Sequence, residues 1–419
     1  MLRTVGVVGL FGIAGLIAPR LNAQFDLRID DKPVQIHSFL TQGFLATDEN
    51  NYLTMQTTRG SFAYTEMGVN ASMRLSDKLL VGAQFYDRNV GQLGQWEAQL
   101  DWAVVDYRVK DWFGVRAGKV KTVMGLYNDT QDMGFLSTFA LLPQSVYPLD
   151  LHDATIAHAG GDIYGDVGLN RLGGLQYTAF VGHRDDSVNG GYLYLLRDRG
   201  VDMTQLGGLQ VGADIRWNTP LKGFLVGASR INETISGSGT GVCSLGVPIS
   251  CSAFNPNGGV GVRGSYQEHS RKDWMNQFYG EYTVGNLKLD AEFRRYYRDQ
   301  IAWNNLLDVW ADNRGWYTAA SYRVSKRASV GSYYSDLSTL YKRGSLPASL
   351  NSDLPGNHIH DKVVTCRLDM TRFWNLKAEG HFMNGYNNNQ YPAGFYTTVN
   401  PNGYRPKTTL LVLMTGFNF

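Results

Sequence analysis

The strongest constraint on this chain is an alternation of polar and apolar residues that recurs in segment after segment. In Leu287–Arg294 every second residue is charged and the residues between them are apolar. The segments Lys362–Met370 and Leu376–Met383 repeat the pattern. A period of two is that of a β-strand with one wet face and one apolar face. The alternation therefore predicts an all-β fold.

The connections between these segments are alternately short and long. The short ones include 76–78, 110–111, 285–286, 326–327 and 371–374, and the long ones include 47–60, 121–153, 184–208, 232–272 and 385–406. Counting the segments gives about 16 strands, with 14 or 18 as the alternatives and both chain ends on the short-turn side. An even number of antiparallel strands can close into a barrel that has no free edge.

Alternation alone fits two architectures. A soluble sandwich would place the charged faces in solvent, whereas a membrane barrel would place them in a wet lumen and the apolar faces in lipid. Aromatic residues, 12% of the chain, cluster near predicted strand ends, where the interfacial girdles of membrane barrels lie. A single sandwich of this length would also be unusual. We therefore expect a transmembrane antiparallel β-barrel.

The N-terminal segment has the organisation of a signal peptide. Arg3 precedes an apolar run from Val5 to Ala18, and Ala23 offers a small residue for cleavage. The run is short for a membrane helix, which needs about 20 apolar residues. We predict a signal peptide over 1–23 and an exported barrel over 24–419; a retained membrane anchor is the alternative.

The last thirteen residues, Lys407–Phe419, read as one strand that runs into the carboxyl terminus. This stretch resembles the closing strand of bacterial outer-membrane barrels, in which the final Phe is part of the signal read by the assembly machinery. A buried last strand of a soluble sheet is the alternative interpretation. Together with the export signal, the terminal Phe favours the outer membrane.

Composition and motifs exclude several classes of function. The predicted signal peptide holds Arg3 and Arg20 and no acidic residue, so the rest of the chain has as many basic as acidic residues and no nucleic-acid signature. No G-x-S-x-G context, C-x-x-C pair or cofactor motif is present, so we predict no enzyme, no metal and no cofactor. In an oxidising compartment Cys243 and Cys251 could form a disulfide that closes a loop.

The stretch Val115–Asn128 combines Arg116, Lys119 and Lys121 with a glycine and a Tyr-Asn pair, and a proline-bounded end follows at Pro148. Here the chain resembles Gram-negative porins, and particularly the phosphate-selective porin O and P type and related substrate-specific porins. The resemblance implies a homotrimer in the lipid bilayer of the outer membrane and a third long loop that folds into the barrel. It also implies a preference for anions.

On that basis we predict a pore constriction where the wall meets the inward loop. Its candidate residues are Arg116, Lys119 and Lys121 on the wall, and Asp129 and Asp132 on the loop. Opposite charges facing each other across a narrow wet gap would orient a permeating solute. The alternative is that these are solvated charges at a strand end.

A second set of candidates follows from strand parity. The expected lumen-facing residues are Glu292, Arg294, Arg323, Arg367 and Asp369. Arg294 and Tyr296 could begin a ladder of weak contacts for anions. Alternatively the neighbouring acids neutralise these cations, and Arg295 and Arg298 lie at the headgroups of the outer leaflet.

The sequence thus predicts a porin that passes small hydrophilic solutes by passive diffusion. The dense lysine cluster and arginine ladder of the phosphate-selective porins are missing, so we predict weak or no phosphate selectivity. The rival hypothesis is a non-conducting barrel that acts as an adhesin or structural anchor through long loops such as 232–272. A secreted soluble β-protein is the remaining alternative.

Overall fold

The structure is a computed structural model that describes residues 27–244, 247–256, 258–345, 351–387 and 393–419. The predicted signal peptide, 1–23, lies outside the described residues. Within the described ranges, no helix is long and apolar enough to cross a bilayer.

Most of the described chain forms β-strands. These are β1 (Leu27–Ile29), β2 (Lys32–Thr47), β3 (Ser61–Arg74), β4 (Leu79–Val90), β5 (Gln99–Lys110), β6 (Phe113–Lys121), β7 (Ala157–Gly168), β8 (Gly174–Asp185), β9 (Val201–Asn218), β10 (Phe224–Val242), β11 (Arg263–Val284), β12 (Leu287–Ala302), β13 (Leu307–Arg323), β14 (Ala328–Arg343), β15 (His358–Asp369), β16 (Trp374–Asn384) and β17 (Lys407–Asn418). Three short helices lie in loops: α1 (His152–Thr155), α2 (Gly191–Asp198) and α3 (Cys251–Phe254).

Sixteen of the strands, β2 to β17, form one closed antiparallel barrel. Each strand pairs with its neighbours in the chain, and β17 returns to pair with β2, with Leu413 opposite Phe44. The Phe419 amide donates to the Ser38 carbonyl at 2.8 Å and completes this seam. The short β1 folds back on the start of β2. The prediction of a barrel of about 16 antiparallel strands is confirmed.

The two faces of the strands differ as the alternation predicts. On β12 the charged residues Asp290, Glu292 and Arg294 are buried inside the barrel, whereas Leu289 and Phe293 are exposed outside. In a membrane barrel an exposed apolar face of this kind is the lipid-facing face. The barrel geometry thus explains why the charged faces are the sequestered ones.

Eight loops, most of them long, lie at one end of the barrel, and seven turns of two to five residues lie at the other. We number the loops L1 to L8; the ones that matter below are L1 (48–60), L3 (122–156), L4 (186–200), L5 (243–262) and L8 (385–406). L3 carries α1, L4 carries α2 and L5 carries α3.

The predicted loop 232–272 is much shorter in the structure. Strand β10 continues to Val242 and β11 begins at Arg263, because the Gly- and Ser-rich segment 236–242 pairs with both β9 and β11. The polar composition of this segment predicts a loop, but interstrand hydrogen bonds hold it as a strand. The predicted Cys243–Cys251 disulfide is present in L5.

Candidate functional site

L3 leaves the wall at β6 and crosses the lumen, and its segment around Gly125 contacts β9–β12. Gly125 has φ +63°, and a Cβ at this position would overlap Gln277 and Glu292. Its amide donates to Ser229 Oγ at 3.1 Å, and its carbonyl accepts from Arg216 Nη2 at 2.8 Å. Only glycine combines this left-handed backbone with so close an approach.

Glu292 is the acceptor that fixes this part of the loop. The Leu126 amide donates to Glu292 Oε2 at 3.1 Å, and the Tyr147 hydroxyl donates to Glu292 Oε1 at 2.7 Å. Tyr317 from β13 and Gln277 from β11 donate to the same carboxylate. A buried carboxylate with this many donors locks the loop to the wall, because a lost partner would leave buried charge unpaired.

A second anchor joins L3 to β15 and β16. Glu379 accepts the amides of Ala140 and Leu141 at 2.8 and 2.9 Å. The Lys377 ammonium donates to the carbonyls of Gly134 and Phe139, both at 2.7 Å. The wall therefore holds the loop backbone through one anion and one cation on adjacent inward positions.

Arg367 extends this second anchor on β15. Its guanidinium donates to the Phe135 carbonyl at 2.5 Å and the Ser137 carbonyl at 2.8 Å, and it pairs with Asp369 at 2.8 Å. Both predicted lumen residues of β15 thus lie inside the barrel. Arg367 contacts the loop backbone directly, while Asp369 contacts Arg367.

The loop also lies against β13 and β14. Ser335 Oγ donates to Ser145 Oγ at 2.8 Å, and Ser145 Oγ donates to the Trp316 carbonyl at 3.1 Å. A Cβ at Gly315 would overlap the Ser145 carbonyl oxygen, so a glycine on the wall makes this contact possible. L3 therefore spans the lumen from β6 to the opposite wall, and the expected inward-folded third loop is confirmed.

Four of the five predicted constriction residues lie on the inner wall or on L3. Lys121 Nζ contacts Asp132 Oδ1 at 2.8 Å, and Gln84 donates to the same carboxylate at 2.5 Å. Arg116 pairs with Asp162 at 2.9 Å, and Asp129 lies 4.0 Å from the Arg216 guanidinium. Lys121 and Asp132 are thus in direct contact rather than on opposite sides of a gap.

Lys119 does not line the lumen, contrary to the prediction. Its neighbours across the strands are Ala103 and Ala159, whereas the adjacent Val120 and its partner His158 are the buried, inward residues. The Lys119 ammonium instead donates to the Leu100 carbonyl at 2.6 Å. Since the side-chain period of a strand is two, Arg116 and Lys119 must face opposite sides. Lys121 has the parity of Lys119, but it is the last residue of β6 and its ammonium reaches Asp132 of L3.

The proposed Arg/Tyr ladder of β12 is present but is covered. The inner face buries all three of its residues, Arg294, Tyr296 and Arg298. The guanidinium carbon Cζ of Arg298 lies over the ring of Tyr192 in α2, 4.8 Å from the ring centre. Arg298 also pairs with Asp273 at 2.8 Å. Acidic residues and α2 therefore cover this ladder. Arg298 lies on the inner face, so the alternative that it contacts lipid headgroups is wrong.

Arg323 occupies the inward register near the short-turn end, where it is exposed. The polar lumen next to L3 also contains Lys288, whose side chain is 33% exposed. Lys288 lines a cavity between L3 and the wall together with Glu66, Asp290 and Met133. Sequence reasoning missed Lys288, although strand parity places it on the same face as Glu292.

The mouth at the long-loop end is filled by L1, L4 and L8, an arrangement that the sequence did not predict. Leu53 of L1, Leu193 of α2 and Tyr396 of L8 are fully or almost fully buried in one apolar cluster. The Leu53 amide donates to the Gly394 carbonyl at 2.8 Å, and the Tyr194 and Tyr396 rings meet edge to face at 5.0 Å. The mouth therefore carries a packed core of its own.

Asp150 of L3 is the polar centre of this packing. Its Oδ2 accepts the Gly394 amide at 2.8 Å and the Tyr396 hydroxyl at 2.6 Å. Its Oδ1 is buried and has no hydrogen-bond partner among the described residues. Burial raises the pKa of Asp150, although the two hydrogen bonds and the charge of Arg88 act in the opposite direction.

Asp153, three residues further along L3, behaves differently. Burial alone would raise its pKa, but Arg88, 2.9 Å away, and His152 together hold the pKa well below the usual carboxyl range. The pKa shifts of the two acids of this segment therefore run in opposite directions.

No family model and no curated protein matches this chain. Solved structures do match along its length. OmpT, an outer-membrane protein of Vibrio cholerae, has a TM-score of 0.53 at 12% identity over 94% of this chain and 100% of its own. The outer-membrane channel DcaP of Acinetobacter baumannii gives 0.52 at 8% identity over 94% and 99%. An anion-selective porin from Comamonas acidovorans gives 0.51 at 10% identity over 93% and 100%. The fold is that of Gram-negative outer-membrane porins.

Proposed function

We propose that this protein is an outer-membrane porin that passes small hydrophilic solutes by passive diffusion, exported through the signal peptide predicted over 1–23. The observation that supports the proposal best is the path of L3, which crosses a closed polar lumen and is tied to the opposite wall through Glu292 and Glu379. A loop fixed in this way narrows a pore to a size that the wall alone would not set.

Selectivity among ions is expected to be weak. The basic residues beside L3 are paired with acids: Lys121 with Asp132, Arg216 with Asp214 and Arg116 with Asp162. Paired charges produce little net field in the lumen, so any preference for anions is small and phosphate receives no dedicated site. Lys288, which lines the cavity, is also paired, with Glu281 at 2.9 Å, but its side chain is 33% exposed and more accessible than those three, so it is the cation best placed to bias the pore.

We also propose a homotrimer, with β2–β4 at the subunit contact. The outward face there carries polar residues: Thr65 donates to Gln42 at 2.8 Å, and Asp87 lies on the outward side between inward Tyr86 and Arg88. A carboxylate facing lipid is destabilising in a barrel. A second copy that covers this face would remove it from lipid.

The test of selectivity is the reversal potential of the purified protein in a planar bilayer under a KCl gradient. Lys288→Glu should shift the reversal potential toward cations, because it inverts a charge in the lumen. Lys326→Glu, in the short turn after β13, is the matched control and should leave it unchanged. Equal shifts from both variants would contradict a pathway past Lys288.

The packed mouth favours a second candidate, a non-conducting barrel that serves as an anchor or adhesin. L1, α2 and L8 bury an apolar cluster where an open porin would have a wet entrance. Proteoliposome swelling in small sugars separates the two. Swelling supports diffusion through the barrel. The anchor is supported if liposomes with folded protein do not swell and if undocking L8 leaves the swelling rate unchanged.

A further inference from the structure

A row of arginines lies on the outer face of the barrel. Arg230, Arg295 and Arg314 follow the buried inward residues Ser229, Arg294 and Asn313, so their side chains point away from the lumen. The pairing Arg230–Asn276–Arg295–Arg314 puts them in one row across β10 to β13. Outward arginines are costly within lipid, and their concentration in one row requires an explanation.

Stacked aromatic rings accompany this row on its loop side. Trp274 lies between two guanidinium groups, 4.7 Å from Arg230 and 5.3 Å from Arg295. Its ring stacks on Tyr297 at 5.5 Å, and Lys272 Nζ lies 5.9 Å from that ring. Aromatic rings beside cations are typical of the interface between hydrocarbon and headgroups.

The charges of this surface are only partly compensated. Asp312 accepts from both Arg295 and Arg314, at 2.9 and 2.7 Å. Arg230 donates to the neutral amide oxygens of Asn232 and Asn276 at 2.8 Å each. The nearby acids Asp299 and Asp308 are engaged by Arg271, and Asp336 is engaged by His360. The row therefore retains positive charge for an external anion.

On the short-turn side the row is followed by an apolar trough. Phe278, Phe293 and Trp316 form the next outward row, and Gly280 and Ala291 lie below them with little side-chain volume. Rings and small residues together line an open concavity on the outer face. A cationic band above an apolar trough matches a molecule with an anionic head and acyl chains.

We propose that this surface binds the phosphorylated disaccharide head of lipid A, with an acyl chain in the trough. Arg230 and Arg314 are three strand spacings apart, about 14 Å. That span suits two phosphates at the ends of a disaccharide better than the single phosphate of a glycerophospholipid. The band lies on the long-loop side of the outward apolar rows, and the long loops of an outer-membrane barrel face the outer leaflet. The inference rests on the proposed outer-membrane location and not on conduction.

The test is native mass spectrometry of the full barrel, folded in detergent and titrated with diphosphoryl lipid A, monophosphoryl lipid A or phosphatidylglycerol. The wild type should prefer diphosphoryl lipid A. The double variant Arg230→Gln/Arg314→Gln should lose at least tenfold in its affinity, since charge-assisted contacts to phosphate are removed. Arg372→Gln, an exposed arginine over Phe373 at the opposite end, should bind as the wild type does.

Equal binding of the three lipids, or unchanged binding by the double variant, would overturn the proposal. The proposal would also be overturned if the double variant lost its oligomeric state but bound diphosphoryl lipid A as the wild type does, because the arginine row would then be a subunit contact. Arg230→Lys/Arg314→Lys, which keeps the charge, should recover part of the affinity and shows that folding is intact. Planar-bilayer conductance of the same samples is read separately, so a failed porin proposal would not be mistaken for a failed lipid site.

Discussion

At the scale of single residues, the central feature is a pair of buried wall carboxylates that accept backbone amides of L3. Glu379 is 1% exposed and accepts two consecutive amides, from Ala140 and Leu141. Such charge-assisted hydrogen bonds contribute about 1.5–3 kcal/mol each. The position of the loop therefore depends on these acceptors together with an apolar contact, in which Phe139, Val146 and Tyr147 of L3 pack against Tyr317, Tyr333 and Val363 of the wall.

Glu379→Gln should loosen this anchor, because the side-chain NH₂ of the glutamine would face a backbone N–H of L3 that needs an acceptor. Loss of one such bond predicts hydrogen exchange at Ala140 and Leu141 that is faster by about tenfold or more. Glu49→Gln, at an exposed site in L1, is the control and should leave these amides unchanged. Unchanged exchange in Glu379→Gln would show that the anchor does not hold the loop.

The docking of L8 on Asp150 should strengthen as the pH falls. Burial raises the pKa of Asp150 in the docked state, so that state binds the proton more tightly. Docking then gains stability as the pH drops through the raised pKa, and the gain is complete below the ordinary carboxyl value. Exchange of 393–400, corrected for intrinsic rate, should slow in mild acid. Asp150→Asn should remove this pH dependence, and a dependence that persists would contradict the assignment.

Strand parity predicted much at this scale and failed where parity was misjudged. Glu292 and Arg367 follow from a simple alternation on β12 and β15. Lys119 was wrongly placed because basic residues at 116, 119 and 121 cannot all share one face of a strand. Asp150 and Tyr396 were missed because their contact joins residues 246 positions apart, and no local pattern signals it.

At the scale of elements, L3 depends on one glycine as much as on its anchors. Gly125→Ala should displace the start of the loop, since the residue has φ +63° and a Cβ would overlap Gln277 and Glu292. Gly134→Ala is the matched control in the same loop, because nothing lies within 4 Å of a Cβ there. We expect faster proteolysis of L3 in the first variant only. Equal proteolysis of both would contradict the close approach.

The strands and the loops differ in how far the sequence determines them. The barrel follows from alternation, even spacing and short turns, which are local signals. The packing of L1, α2 and L8 at the mouth follows from contacts among distant segments. Their composition alone therefore predicted solvated loops. Segment 236–242 shows the reverse error, in which a Gly- and Ser-rich stretch predicted as loop is held in β10 by its two neighbours.

At the scale of the whole molecule, the barrel has three regions along its axis. A wet cavity lined by Lys288 and Asp290 lies on one side of L3, the loop itself narrows the middle, and the packed mouth lies beyond it. A solute that crosses must pass both L3 and the mouth. The account therefore predicts a low conductance that rises when the mouth is loosened.

The most direct measurement is single-channel conductance in a planar bilayer, with the wild type and Tyr396→Ala compared under identical salt. Removing the fully buried Tyr396 deletes its hydrogen bond to Asp150 and its contact with Tyr194. We expect small discrete steps from the wild type and steps several times larger, or far more frequent, from the variant. If folded, heat-modifiable protein of both kinds gives no steps, the barrel is not a channel.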